Sequence, residues 1–96
     1  MLRIETISDQ PRWITLELIG DLAQDYVPEL ENLIGQARGR RQQVVLDLRN
    51  VGLVDREALR YLVRAKKEGV RLAQCPPYVA AWIGQEMKTG QDREPK

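Results

Sequence analysis

Val44-Val45-Leu46-Asp47-Leu48-Arg49-Asn50-Val51-Gly52-Leu53-Val54-Asp55-Arg56-Glu57-Ala58-Leu59-Arg60-Tyr61-Leu62 is the run around which the chain is organised. Val44–Leu48 is short and apolar at almost every position, the pattern of a central strand covered on both faces. Ala58, Leu59, Leu62, Val63 and Ala65 then recur at helical spacing over 56–67, and Asp55 stands where a helix N-cap belongs. The run therefore reads as a buried strand, a short loop and the start of an amphipathic helix.

Working outward, Gly69 ends that helix and Val70–Cys75 reads as a further strand, halted by Pro76 and Pro77, which have no N–H for a ladder. Pro77 suits the first turn of a last helix, with Val79, Trp82, Ile83 and Met87 as its apolar stripe. Upstream, Val27, Leu30, Leu33, Ile34 and Ala37 mark a helix, with Asp25 as its expected N-cap and Gly39 as its stop. Before it, Trp13–Leu18 alternates cleanly and Met1–Ile7 loosely, with a turn at Ser8–Arg12 between them, so the chain opens on a hairpin. Trp13 falls on the polar side of its strand, and packing across a neighbouring strand is its expected role. The order is β-β-α-β-α-β-α. It predicts an α/β fold with a mostly parallel four-stranded sheet, an antiparallel edge and helices packed on it. One domain over 1–87 and a flexible polar tail over 88–96 follow from the composition.

Several function classes find no support. The chain has no histidine, which removes the commonest acid–base group near neutral pH and the commonest metal ligand. Its single cysteine, Cys75, cannot form an internal disulfide or a thiolate metal cluster, and it reads as a small apolar residue at a strand end. A net charge of +1 argues against nucleic-acid or membrane binding through bulk electrostatics. No apolar run approaches the roughly 18 residues of a membrane span, and the first residues lack the pattern of a secretory leader. No glycine-rich phosphate loop, metalloprotease motif or nucleophile elbow is present. The expectation is a non-enzymatic, cytoplasmic protein with no cofactor and no metal.

The charged residues narrow the site. Arg56, Arg60, Arg64 and Lys67 follow an i, i+4, i+8, i+11 row, which places them on one ridge of the helix, and Glu57 lies beside it. Such a ridge is either a solvated face with Glu57 balancing a neighbour or a docking surface for an acidic partner. Asp47 is expected to bond backbone groups where the strand opens into its loop. Arg38, Arg40 and Arg41 complement the negative end of the preceding helix.

The run Val44–Asp55 followed by a helix resembles the central signature of STAS domains, the domains shared by sulphate transporters and anti-sigma factor antagonists. Gly20-Asp21-Leu22, leading into a helix with Pro28-Glu29-Leu30, is similar to that family's first strand–helix passage. The resemblance covers roughly Leu2–Met87. It implies an interaction module whose contacts centre on this loop and helix, with Asp55, Arg56, Glu57, Arg60, Arg64 and Lys67 as partner-binding residues. In the family, a serine after the aspartate is phosphorylated by a kinase-bearing anti-sigma factor. Here that position is Arg56, followed by Glu57 and Ala58, and no serine or threonine lies between Asp47 and Lys67, so only Asp55 carries over. The expectation is a divergent, bacterial STAS-like regulator that binds an anti-sigma-factor-like protein without serine phosphorylation. The alternative is a cytoplasmic STAS subunit of a lipid or anion transport system. The first strand, as a sheet edge, also offers a route to a homodimer.

Overall fold

Alternation in the second strand sets the architecture. Ile14, Leu16 and Leu18 are buried, whereas Thr15, Glu17 and Ile19 are half-buried. The structure, a computed structural model, describes the backbone of residues 1–92 and the side chains of residues 1–87. Its elements are β1 (Leu2–Asp9), β2 (Trp13–Leu22), a 3-10 turn (Gln24–Tyr26), α1 (Val27–Gly39), β3 (Gln43–Val54), α2 (Arg56–Lys67), β4 (Arg71–Ala73) and α3 (Pro77–Asp92). The strands lie in the order β1-β2-β3-β4. β1 and β2 are antiparallel; β2–β3 and β3–β4 are parallel. Element order and sheet type are those expected. The last helix continues past Met87 to Asp92, and the remainder of the expected tail, residues 93–96, lies outside the described residues.

Both crossovers step the same way along the sheet. With the right-handed connection that twisted strands impose, α1 and α2 must then lie on the same face. Ile14 and Leu16 share a crevice with Leu33 and Ala37 of α1, which identifies that face. Val44, Leu46 and Leu48 of β3 point into it and are buried with Leu30, Ile34, Leu59 and Leu62. α3 packs against α2 and contributes Val79 and Ile83 to the same core. Burying each such aliphatic side chain stabilises the fold by about 1.5–3 kcal/mol.

The other face carries Trp13, Thr15, Glu17, Ile19 and Val45, none of them buried. The expectation of a central strand covered on both sides is thus corrected: β3 is covered on one. Trp13, opposite Gln43 of β3, is 48% exposed. Asp47 also lies on this face, at 6% exposure. Its Oδ1 accepts from the Arg49 N–H at 3.0 Å, and the Arg49 guanidinium sits 3.6 Å from Oδ2. It therefore bonds the local backbone, as expected.

β3 does not end at Leu48. Between Glu17 and Ile19 of β2 the partner strand advances from Asp47 to Asn50, and between Gly20 and Leu22 it advances from Val51 to Val54. Each step inserts one extra residue, so the expected loop is a twice-bulged strand. Side chains of β2 hold it: Asn50 Nδ2 donates to Glu17 at 2.6 Å, and Leu53 N–H donates to Asp21 at 3.2 Å. Toward the end of β2, Gly20 has φ +112, and a Cβ there would collide with the Met1 carbonyl oxygen, so this strand position requires glycine.

Helix ends hold two further corrections. Asp25 does not cap α1; it lies inside the 3-10 turn, and Tyr26 occupies the N-cap position without a side-chain bond. Gly39 is the last residue of α1, but the left-handed conformation that reverses the chain falls on Arg41, at φ 62. Gly69, at φ +106, follows α2 as expected.

Candidate functional site

The start of α2 is built around one carboxylate. Asp55 is extended, at φ −80 and ψ 170, and its Oδ1 accepts from the Ala58 N–H at 2.8 Å. Its Oδ2 accepts from the Gln24 N–H at 2.9 Å, the first residue of the 3-10 turn before α1. Its own N–H donates to the Leu22 carbonyl at 3.1 Å. Asp55 therefore ties the start of α2 to the passage out of β2. With both oxygens engaged inside the chain, it positions the site.

Arg56, Arg60, Arg64 and Lys67, spaced along one ridge of α2, are all exposed, as is Glu57 beside them. They do not form a uniform positive surface. Arg60 lies 3.6 Å from Glu57, and Arg64 reaches across to Glu31 of α1 at 3.1 Å while its guanidinium sits 5.4 Å from the Tyr61 ring centre. Arg56 and Lys67 have no ion pair among the described residues. The ridge is thus half balanced, because α1 lies alongside and brings Glu31 to it, a neighbour 33 positions away in sequence.

Between α1 and α2 runs an open groove of about 500 Å³ lined by Glu31, Ile34, Arg38, Tyr61, Arg64 and Glu68. It continues toward the helix starts past Val27, Pro28, Glu57 and Arg60. Burial pushes the Tyr61 phenol above its ordinary value, and the nearby Glu31 carboxylate adds to the effect. Arg38 crosses the groove to Glu68 at 3.5 Å and donates to its carbonyl at 3.1 Å. Arg40 lies 3.8 Å from Asp9. Most of the basic run after α1 is therefore spent on contacts within the chain. Such exposed pairs are worth about 0–1 kcal/mol each and yield easily to a competing partner.

Leu53, which the sequence pattern did not single out, is 67% exposed at the last bulge of β3, two residues before Asp55. Its N–H is held by Asp21, and the Tyr78 hydroxyl donates to the carbonyl of the adjacent Gly52. Tyr78 itself is 47% exposed. Leu53 and Tyr78 are thus two exposed side chains on a tied-down stretch of backbone, with Arg56 three residues after Leu53. In the run Val51-Gly52-Leu53-Val54 nothing marks which apolar residue faces outward; Val51 and Val54 are buried. Cys75 is half-buried, and burial pushes its thiol up, away from the reactive thiolate. Among the described residues, no cluster of three metal-ligating side chains occurs and no helix is long and apolar enough to cross a membrane.

No protein-family model and no curated protein matches the chain. Solved structures do. A crystal structure of an uncharacterized protein of the DUF3478 family from Shewanella loihica PV-4, described as having a SpoIIAA-like fold, matches with a TM-score of 0.52 at 11% identity, over 70% of this chain and 57% of that one. The chain has the SpoIIAA-like fold. This is the fold of STAS domains, in agreement with the resemblance read from Val44–Asp55. A crystal structure of Mglu matches at a TM-score of 0.55 and 22% identity, over 72% of this chain and 18% of that one. The chain thus spans little more than half of the first protein and under a fifth of the second. In this fold the strand-to-helix junction places Leu53 and Arg56 at one end of the sheet, and the outer row of α2 runs back along it from there.

Proposed function

We propose that this chain is a non-enzymatic STAS-type interaction module, acting in the bacterial cytoplasm, that docks a protein partner on the start and outer row of α2. The single observation that carries this reading is an exposed Arg56, with no ion pair among the described residues, three residues after the exposed Leu53 in a stretch whose backbone is tied down by Asp21 and Asp55. Arginine and tyrosine are the side chains enriched at interface centres, and Arg56 and Tyr78 are both exposed here. Glu57, Arg60, Arg64 and Lys67 extend the site along α2 as a charged rim. A partner with a small apolar pocket and acidic surroundings fits this surface. Arg56 in place of a serine gives the site a standing positive charge, so association does not wait on phosphorylation there.

The test is affinity purification from the source cell with wild type and an Arg56→Glu/Arg60→Glu double variant, followed by calorimetry on the partner recovered. The reversal is expected to remove the partner or weaken it at least about tenfold, on the order of 1.4 kcal/mol. Identical partner sets and affinities for the two proteins would sink the reading. The nature of the recovered protein then separates a sigma-factor regulator from a component of a transport system, the latter also bringing the chain into the membrane fraction.

A further inference from the structure

The two edges of the sheet are finished differently. β4 has three residues, is followed by Gln74 at φ 54, and runs into Pro76 and Pro77, so that edge offers little to a further strand. β1 has eight residues, no proline and no lysine, and its outer edge meets no strand among the described residues. Apart from the charges of Arg3 and Glu5 and the irregularity between Thr6 and Ser8, Leu2–Thr6 is a regular open edge, and edges recruit another strand where its charges match.

The side chains of β1 specify which strand. On the helix-bearing face, Leu2, Ile4 and Thr6 stand beside Gly20, Leu18 and Leu16. On the open face, Arg3 and Glu5 stand beside Ile19 and Glu17, so Glu5 has a like charge on its inner side. An antiparallel copy of β1 pairing with itself about Ile4 sets Arg3 opposite Glu5 in both directions, Leu2 opposite Thr6, and Ile4 opposite Ile4. Arg3 of the same chain already pairs with Glu5, and the Arg3 of the second copy adds a cation on the outer side of the Glu5–Glu17 juxtaposition. Shifting the axis to Arg3 or Glu5 sets like charges directly against each other, which destabilises a strand pair. The Ile4 register also brings Met1, 97% exposed, level with Ile7, 51% exposed, at the ends of the ladder, where the irregularity between Thr6 and Ser8 stops regular pairing.

We infer that the occupant of this edge is a second copy of the chain, joined β1 to β1 about a two-fold axis at Ile4 into one eight-stranded sheet. A two-fold normal to the sheet keeps both helix layers on one side and leaves both α2 ridges exposed. The inference stands apart from the α2 docking surface, and either can fail alone.

Sedimentation equilibrium of the full chain over a concentration series tests it. Wild type is expected to show a monomer–dimer equilibrium. Arg3→Glu and Glu5→Arg are each expected to weaken it by about tenfold or more, since both cross-strand pairs turn repulsive. The double exchange Arg3→Glu/Glu5→Arg restores the dimer, and an equimolar mixture of the two single variants forms a heterodimer. Both side chains project to solvent, and circular dichroism checks that each variant is folded. A wild type that stays monomeric, a dimer that neither reversal weakens, or singles that do not complement each other when mixed would each overturn it.

Discussion

The two helices lying side by side on the sheet begin in opposite ways. α2 is capped by the residue directly before it, Asp55, whose Oδ1 takes the Ala58 N–H. α1 has no side-chain cap of its own and is reached through a 3-10 turn whose first N–H is taken by the same Asp55, 31 positions away. One helix start is thus a local property of its sequence, and the other is borrowed. The two helix starts therefore form a single mechanical unit: what disturbs the cap of α2 also loosens the start of α1 and the groove between them.

The largest expected effect comes from breaking both starts at once. Asp55→Ala removes a cap worth about 0.5–2 kcal/mol and a second charge-assisted bond, for a total loss of about 2–3 kcal/mol in urea unfolding. A loss well under 1 kcal/mol would show that neither start depends on this carboxylate. Asp55→Asn separates the two. Asparagine still caps α2 through its oxygen but presents an NH₂ where Gln24 needs an acceptor, so the expected cost is about 1 kcal/mol. In hydrogen exchange the Gln24 amide should speed up while the Ala58 amide keeps its protection; equal acceleration of both would make the starts inseparable.

Arg56→Glu sharpens the contrast between stability and function at the start of α2. An acidic side chain in a first turn complements the helix dipole, so stability should hold or rise by about 0.3–1 kcal/mol while partner affinity falls. A variant that loses both would assign Arg56 to the fold. The smallest effect concerns Tyr61, between the two helices. Its folded-state pKa is raised, by burial first and by Glu31 next. In the unfolded chain the phenol ionises near pH 10, whereas in the folded chain it stays neutral to higher pH. Its contribution to stability is therefore fully present below about pH 10 and is lost as pH rises through the folded value. Comparing urea midpoints of wild type and Tyr61→Phe on either side of that pH isolates the effect; parallel curves would refute it.

Much of this molecule is readable from local pattern. The alternation of Ile14, Leu16 and Leu18, the apolar run Val44–Leu48 and the stripe from Ala58 to Ala65 place the elements, because their periods of 2 and 3.6 are properties of the backbone itself. Asp55 is legible as a cap for the same reason: its partner, Ala58, lies three residues on. Asp25 misled because an acidic residue before a helix is also compatible with a 3-10 turn, and which forms depends on Asp55 from another segment. The Arg60–Glu57 balance on the α2 ridge was open to local reading, but the Arg64–Glu31 pair was not, because Glu31 sits on a different helix. Leu53 was hidden because two bulges in β3, held by Asp21 and Glu17 of β2, change which residues face the core.

Local sequence was enough for the order of strands and helices, the mostly parallel sheet with its antiparallel edge, the capped start of α2 and the missing hydroxyl at Arg56. Tertiary structure alone decided that one sheet face stays open, that Arg64 is neutralised while Arg56 has no ion pair among the described residues, and that Leu53 projects outward. The reason is range. Backbone periodicity and capping act over a few residues along the chain, whereas burial and charge pairing depend on which distant segments the fold brings within a few ångströms.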